Sequence, residues 1–284
     1  MKPLFPLIII IALSFNACKK SNNDIGSTGI QAQTQLNVSY GSDPQQKMDV
    51  YLPAGRSIST TKVIIMVHGG GWTQGDKTDF TPYVDTLNRR LPGYAVINVN
   101  YRLATGSLNF FPAQENDVKA AIDYIYNNRA NWMISDKFVL LGASAGGHLV
   151  TLQAYKYASP SIKAVVDFFG PTELVDMYNN PPTPLIPLLL LQVTGGTPAT
   201  NAAIYQSSSP LNFVTPQSAP TIILQGGADI VVSPTQSVLL KNKLTSMGVI
   251  NQYVFYPTES HGWVGANLAD SFDKIGAFLA ANVQ

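Results

Sequence analysis

The fold class that this sequence predicts is α/β, a mostly parallel sheet with helices on both faces. Two patterns in the 284-residue chain carry the prediction. Short continuous runs of β-branched and other apolar residues recur, the signature of strands buried on both faces. Segments with apolar residues at helical spacing alternate with them, as sheet-covering helices must.

The elements follow in order. Leu36–Tyr40 and Lys47–Leu52 read as two short strands, with turn chemistry between them in Gly41-Ser42-Asp43-Pro44. Apolar residues alternate from Lys47 to Leu52, which fits a half-buried hairpin at the sheet edge. Lys62–Val67 is a continuous buried run that ends at His68-Gly69-Gly70-Gly71-Trp72, and Tyr94–Val99 is a similar run ending at Asn100-Tyr101-Arg102. Ala113–Tyr126 places Val118, Ala121, Ile122 and Ile125 on one helical face. Phe138–Leu141 is a strand leading into Gly142-Ala143-Ser144-Ala145-Gly146-Gly147, and a helix-like run follows from His148 to Ala154. Ile162–Phe169 is the sixth core strand, closed by Gly170-Pro171. Thr221–Gln225 is another, ending in Gly226-Gly227-Ala228-Asp229. Thr235–Met247 is a helix stopped by Gly248, Asn251–Tyr256 a strand and Asn267–Ala281 a final helix.

One interval breaks this rhythm. Thr172–Gln217, after the sixth core strand, is long, proline-rich and irregular, with a strongly apolar stretch at Leu185–Val193. It reads as a lid or pocket wall, or as a buried packing helix with polar connectors, and the two are compatible. With no internal repeat and no second core, residues 36–284 form one predicted domain.

The N-terminus reads as an address. A basic start and an apolar run from Leu4 to Leu13 match a signal h-region, too short to span a membrane. Ser14-Phe15-Asn16-Ala17-Cys18 resembles a bacterial lipoprotein signal, which assigns residues 1–17 to the signal and Cys18 to lipidation. An ordinary signal peptide is the alternative. Residues 18–35 are polar and read as a flexible tether. The expected location is outside the cytoplasm, with a lipid anchor as the sole membrane contact.

Composition narrows the function classes. Apolar residues make up 45% and charged residues 12%, enough for a large core under a weakly charged surface. At a net charge of +1, without clustered Lys and Arg, no nucleic-acid partner is expected. Cys18 is the only cysteine, so no intrachain disulfide or Cys-based metal site can form. A zinc triad would need His68, His148 and His261 all to converge. Neither metal nor cofactor is expected.

Chemistry concentrates at three strand ends. Strand, Gly-x-Ser-x-Gly, helix is the context of a nucleophile elbow, with Ser144 standing clear of the backbone at a sharp turn. A serine hydroxyl needs a base, and the base needs an orienting acid. Asp229 and His261 each follow a parallel strand, which brings them to the same sheet edge as Ser144. His68 precedes the elbow, and His148 lies one turn into the helix and points into packing. Glu259 is the alternative acid. Developing negative charge on a carbonyl oxygen needs preorganised N–H donors. Gly70, Gly71 and Ala145 are the favoured donors, with Gly69 and Trp72 as neighbours in the same loop. Trp72 is a candidate pocket wall or a packing residue, and Trp263 a candidate cover or stacking surface. Arg102 is expected to pair with Asp117 or Asp76.

His68-Gly69-Gly70-Gly71-Trp72, Asn100-Tyr101-Arg102, Gly142-Ala143-Ser144-Ala145-Gly146-Gly147, Gly227-Ala228-Asp229 and His261-Gly262 together resemble the α/β-hydrolase carboxylesterases. The resemblance runs from Leu36 to the C-terminus. It is closest to the bacterial feruloyl-esterase-like and acetylesterase-like branch, which shares the His-Gly-Gly-Gly-Trp form. Hormone-sensitive-lipase-like esterases commonly carry Asp before the nucleophile, where this chain has Ala143. The resemblance implies the α/β-hydrolase fold and cofactor-free ester hydrolysis through an acyl-enzyme. Ser144 would attack, His261 would move the proton and Asp229 would orient His261. The implied substrates are acetyl or feruloyl esters of plant polysaccharides or oligosaccharides. A lipase or general short-chain esterase, a kynurenine-formamidase-like amidohydrolase, a peptidase and a catalytically dead binding module are the alternatives.

Overall fold

The computed structural model describes residues 29–284. The expected signal segment, Cys18 and the expected tether up to residue 28 lie outside the described residues. Eight strands form one sheet: β1 (Gln33–Ser39), β2 (Lys47–Leu52), β3 (Lys62–Val67), β4 (Tyr94–Val99), β5 (Phe138–Ala143), β6 (Ile162–Phe168), β7 (Thr221–Gly226) and β8 (Asn251–Tyr256). Their order is β1-β2-β4-β3-β5-β6-β7-β8. β2 runs antiparallel to both β1 and β4, while the pairs from β4 through β8 are parallel. The predicted α/β class and its edge hairpin are what the structure shows.

Eight helices accompany the sheet: α1 (Thr81–Arg90), α2 (Ala113–Trp132), α3 (Ala145–Lys156), α4 (Leu174–Asn179), α5 (Leu185–Thr194), α6 (Ala202–Ser207), α7 (Pro234–Ser246) and α8 (Gly265–Asn282). The alternation of β3 divides the core. Val63, Ile65 and Val67 join the cluster that includes Ile125 of α2, Leu149 of α3 and Leu240 of α7. Ile64 and Met66 join the opposite cluster, with Leu87 of α1 and Ile275 of α8. Each such side chain contributes about 1.5–3 kcal/mol when fully buried.

Sheet order also selects where a site can form. From β3 the chain moves outward to β4, then returns past β3 to β5 and moves the other way to β6. The loops after β3 and β5 therefore diverge from adjacent parallel strands, which opens a crevice at their carboxyl ends.

Several element bounds differ from expectation. β1 begins at Gln33, not Leu36, and Gln33 pairs with Leu52. Further upstream, Ile30 and Gln31 carbonyls accept from the Gly55 N–H and from Arg56. Residues 33–35 are thus strand, not tether, because an edge strand needs only its backbone to pair. α2 runs on to Trp132 and stops where Met133 turns left-handed at φ 54°. α1 was not expected, since Val84 and Leu87 are its only buried side chains and leave little periodicity to read. The interval after β6 holds α4, α5 and α6.

Candidate active site

Ser144 sits between β5 and α3 at φ 55°, ψ −123°. That left-handed turn is held by its neighbours. A Cβ on Gly142 would lie 2.3 Å from the Gly146 carbonyl oxygen, and one on Gly146 would lie 2.0 Å from that of Val67. Only glycine fits at both positions. The Ser144 N–H donates to the Phe168 carbonyl at 2.8 Å, and the Ser144 carbonyl accepts from the His148 N–H at 3.0 Å.

The three strand-end residues meet. Ser144 Oγ is 2.9 Å from His261 Nε2, and His261 Nδ1 is 2.7 Å from Asp229 Oδ2. A carboxylate only accepts, so Nδ1 carries the proton and Nε2 faces the serine hydroxyl as an acceptor. Asp229 is buried and its lone pairs are spoken for. Oδ1 accepts from the Val231 and Val232 N–H groups at 2.8 and 2.9 Å, and Oδ2 also accepts from Gln225 Nε2 at 3.2 Å. Gln225 is steadied in turn by Ser237, whose hydroxyl donates to its Oε1 at 2.8 Å. Neither supporting residue was legible in the sequence, because no motif marks a glutamine inside a buried strand. Glu259 contacts Asn267, and its backbone carbonyl accepts from Ala228, while Asp229 holds the histidine.

The glycine loop lies against the elbow. A Cβ on Gly69 would come within 2.9 Å of the Ala143 carbonyl oxygen. Gly70 and Gly71 adopt φ +102° and +58°, and the Gly70 carbonyl is turned to accept from Thr73 and Gln74. Among the described residues, no acceptor pairs with the Gly70 or Gly71 N–H. Ala145 opens α3, so its N–H has no intrahelical acceptor. Tyr101 clamps the loop from beside it: its hydroxyl hydrogen-bonds the His68 and Gly69 carbonyls at 3.1 and 3.2 Å, and its ring stacks on His68.

Trp72 borders the cavity but is only 1% exposed. Its indole points down against Phe111 and His148 and donates to His148 Nδ1 at 3.2 Å. His148 Nε2 then donates to the Ser208 carbonyl at 2.6 Å. Burial pushes the His148 imidazole down to about 4, so it is neutral at physiological pH. Trp72 thus lines the cavity and at the same time packs against Phe111 and His148, so it serves both as pocket wall and as packing residue. Trp263 departs from expectation. It lies on the α8 side of the sheet against Phe168, Phe169 and Tyr256, and donates to Ser271 Oγ at 2.9 Å. Adjacency to His261 in sequence did not put it in the same cavity, because the chain turns across the sheet edge between them.

Ser144 and His261 open into a cavity of about 380 Å³. Its apolar walls are Met177, Ile186 and Leu189 from the segment after β6, with Phe169, Val231 and Val232. Phe169, unforeseen, stands at φ 44° with its ring 4.6 Å from that of His261. Among the residues lining this cavity His261 is the only ionisable one. No group of three His, Cys, Asp or Glu residues is placed to hold a metal among the described residues.

A family model, BD-FAE, matches residues 48–244. The chain belongs to the BD-FAE family. The BD-FAE match spans the glycine loop, the elbow and Asp229, and ends before β8, so His261 is placed by the tertiary structure. Esterase LipC of Mycobacterium tuberculosis is 25% identical over 85% of this chain and 64% of its own length. The chain therefore spans less than two thirds of that relative. Among solved structures, a truncated form of a carbohydrate esterase from gut microbiota superposes with TM-score 0.75 at 26% identity, over 90% of this chain and 98% of that one. A bifunctional GH43-CE protein of Bacteroides eggerthii gives TM-score 0.76 at 26% identity, over 86% of this chain and 38% of that one. The fold of this BD-FAE member is that of the esterase α/β-hydrolases.

Proposed function

We propose that this BD-FAE member is a serine carboxylic ester hydrolase that works through an acyl-enzyme. The observation that carries the reading is the continuous Ser144–His261–Asp229 relay at the mouth of an apolar cavity.

The geometry gives each group a task. As Ser144 Oγ bonds to the ester carbonyl carbon, its proton passes to His261 Nε2. The imidazolium that forms is held by Asp229, whose charge is fixed in place by four N–H donors: His261 Nδ1, Val231, Val232 and Gln225. The N–H groups of Gly70, Gly71 and Ala145 are the donors for the oxyanion, each worth roughly 3 kcal/mol of barrier. Collapse of the tetrahedral adduct transfers the proton from His261 to the leaving alcohol. Water then repeats the sequence on the acyl-enzyme, and the acid and free Ser144 result.

The proposed substrates are acetyl or feruloyl esters carried by plant polysaccharides or oligosaccharides. Two observations support this: the likeness to a carbohydrate esterase over nearly its whole length, and a cavity lining with no ionisable group besides His261. Replacing Ser144→Ala should lower kcat on acetyl and feruloyl esters by about 10⁴–10⁶. Initial rates on methyl ferulate and acetylated oligosaccharide decide it; near-normal turnover by the variant would sink the mechanism.

The N-terminal segment supports a further part of the reading, that the enzyme is exported and tethered through Cys18. Cells expressing the full chain and fed labelled palmitate should label it, and Cys18→Ser should not be labelled. Equal labelling of both would rule the anchor out.

A further inference from the structure

His148 takes no part in the relay, yet it is fully buried and both its ring nitrogens are engaged. The Trp72 indole N–H can only donate, so Nδ1 accepts it, at 3.2 Å. Nε2 therefore carries the proton and donates to the Ser208 carbonyl at 2.6 Å. A ring engaged in this way is held in one tautomer and one orientation. Three segments distant in sequence thus meet on one imidazole. The glycine loop arrives through Trp72, α3 carries the ring itself, and the interval after β6 arrives through Ser208, the residue after α6.

The bond to Trp72 matters because of the backbone there. Gly70, Gly71 and Trp72 follow one another at φ +102°, +58° and +61°. Glycine adopts such values freely and a tryptophan does not. A bulky residue stays in that region only where its surroundings over-determine it. Here the indole is edge-on to Phe111 and His148, with ring centroids 5.9 and 5.2 Å away, and the Trp72 carbonyl accepts from the Ala104 N–H at 2.9 Å. Trp72 directly follows Gly71, so fixing the indole fixes the end of the loop that presents the Gly70 and Gly71 N–H groups. The same histidine stands one turn into α3, where its own N–H donates to the Ser144 carbonyl at 3.0 Å, in the turn that Ala145 opens. Donors for an oxyanion act by standing in place before the charge develops. These donors come from two separate loops, and His148 is the buried side chain that joins them.

We propose that His148 is a positioning residue for the oxyanion donors, tying Trp72 and the glycine loop to the helix that begins at Ala145. The proposal rests on the esterase reading and deepens it, since it names what keeps the two halves of the hole in register.

The test uses the full chain, p-nitrophenyl acetate and a short alkyl trifluoromethyl ketone. Ser144 Oγ adds to the ketone carbon, the Ser144 proton passes to His261, and the former carbonyl oxygen is left as an oxyanion. Affinity for the ketone therefore reads the donors. In His148→Leu, kcat on the ester and affinity for the ketone should fall together by about tenfold or more, with KM within about twofold of wild type. His148→Gln can still accept from the indole with its oxygen and donate to Ser208 with its amide, and it should recover most of both losses. Trp72→Phe removes the indole N–H and leaves His148 in place, so it answers the question if His148→Leu does not fold. Its losses should match those of His148→Leu, and the double variant should lose no more than the worse single one. Ketone affinity within about twofold of wild type in the folded variants overturns the proposal, as does a loss in His148→Gln equal to that in His148→Leu. Ester hydrolysis that is independent of Ser144 would instead remove the esterase reading itself.

Discussion

Asp167 takes no part in the relay, yet it lies directly behind the elbow. On β6 it pairs with Gly142, and its Oδ1 accepts from the Gly170 N–H at 3.0 Å while Oδ2 has no partner. A Cβ on Gly147 would fall 2.3 Å from that Oδ1, so the elbow helix rests on the carboxyl. Burial pushes the carboxyl up to about 7, against an ordinary 3.8. Between those values the unfolded chain has released the proton and the folded chain keeps it, so this group lowers stability as pH rises. His148 acts in the opposite sense. The unfolded imidazole gains its proton near 6.5 and the folded one only near 4, so its contribution is full above 6.5 and lost as pH falls toward 4. Asp167→Asn keeps the shape and removes the first effect. The stability of Asp167→Asn relative to wild type should grow from pH 4 to pH 7, by up to about 4 kcal/mol at one pKa unit per 1.4 kcal/mol. Parallel unfolding curves across that range would show that Asp167 is not held protonated.

At the scale of elements, the site depends on joints between segments distant in sequence. α5 has Ile186, Leu190 and Val193 buried at helical spacing, with Leu185 and Leu188 outward. Leu189 stands between these faces and would meet a Cβ on Gly71 at 3.1 Å. The helix is therefore both a packing element and a wall, which satisfies the two readings of its apolar run together. Another joint is Arg102 with Asp117 of α2. The guanidinium reaches Asp117 at 2.6 Å, the Arg102 N–H at 2.8 Å, and Gln46 before β2 at 2.7 Å. Asp117 is 1% exposed, so losing the arginine strands a buried charge. Breaking a buried pair costs about 3–5 kcal/mol. Because the Arg102 side chain is 28% exposed, about 2–4 kcal/mol is expected for Arg102→Ala. Calorimetry should show Tm lower by roughly 5–10 °C; an unchanged Tm would mean that solvent replaces the clamp.

Over the whole molecule, the sheet order decides where the chemistry sits. The split between β3 and β5 opens the crevice, and the ends of β7 and β8 bring Asp229 and His261 to it. Much of this was legible in advance. Continuous apolar runs marked the buried strands, and the residues after them named Ser144, Asp229 and His261, because parallel strands deliver their carboxyl ends to one edge. The glycine spacing around Ser144 was legible for a local reason, since steric exclusion at Gly142 and Gly146 acts over a few residues. Other features were silent. β1 begins in polar residues whose pairing is purely backbone. α1 buries too few side chains to show a period. Trp72 and Trp263 both flank site loops in sequence, but the side-chain direction that sends one under the loop and the other across the sheet is set by packing partners far along the chain. Gln225, Ser237 and Phe169 acquire their places only from neighbours that folding supplies. The sequence by itself thus determined the fold class and the chemical identity of the relay, because both follow from local periodicity and from short motifs at strand ends. The tertiary structure alone decided what surrounds the relay, because supporting hydrogen bonds and pocket walls are contacts between segments whose separation in the chain carries no record of their distance in space.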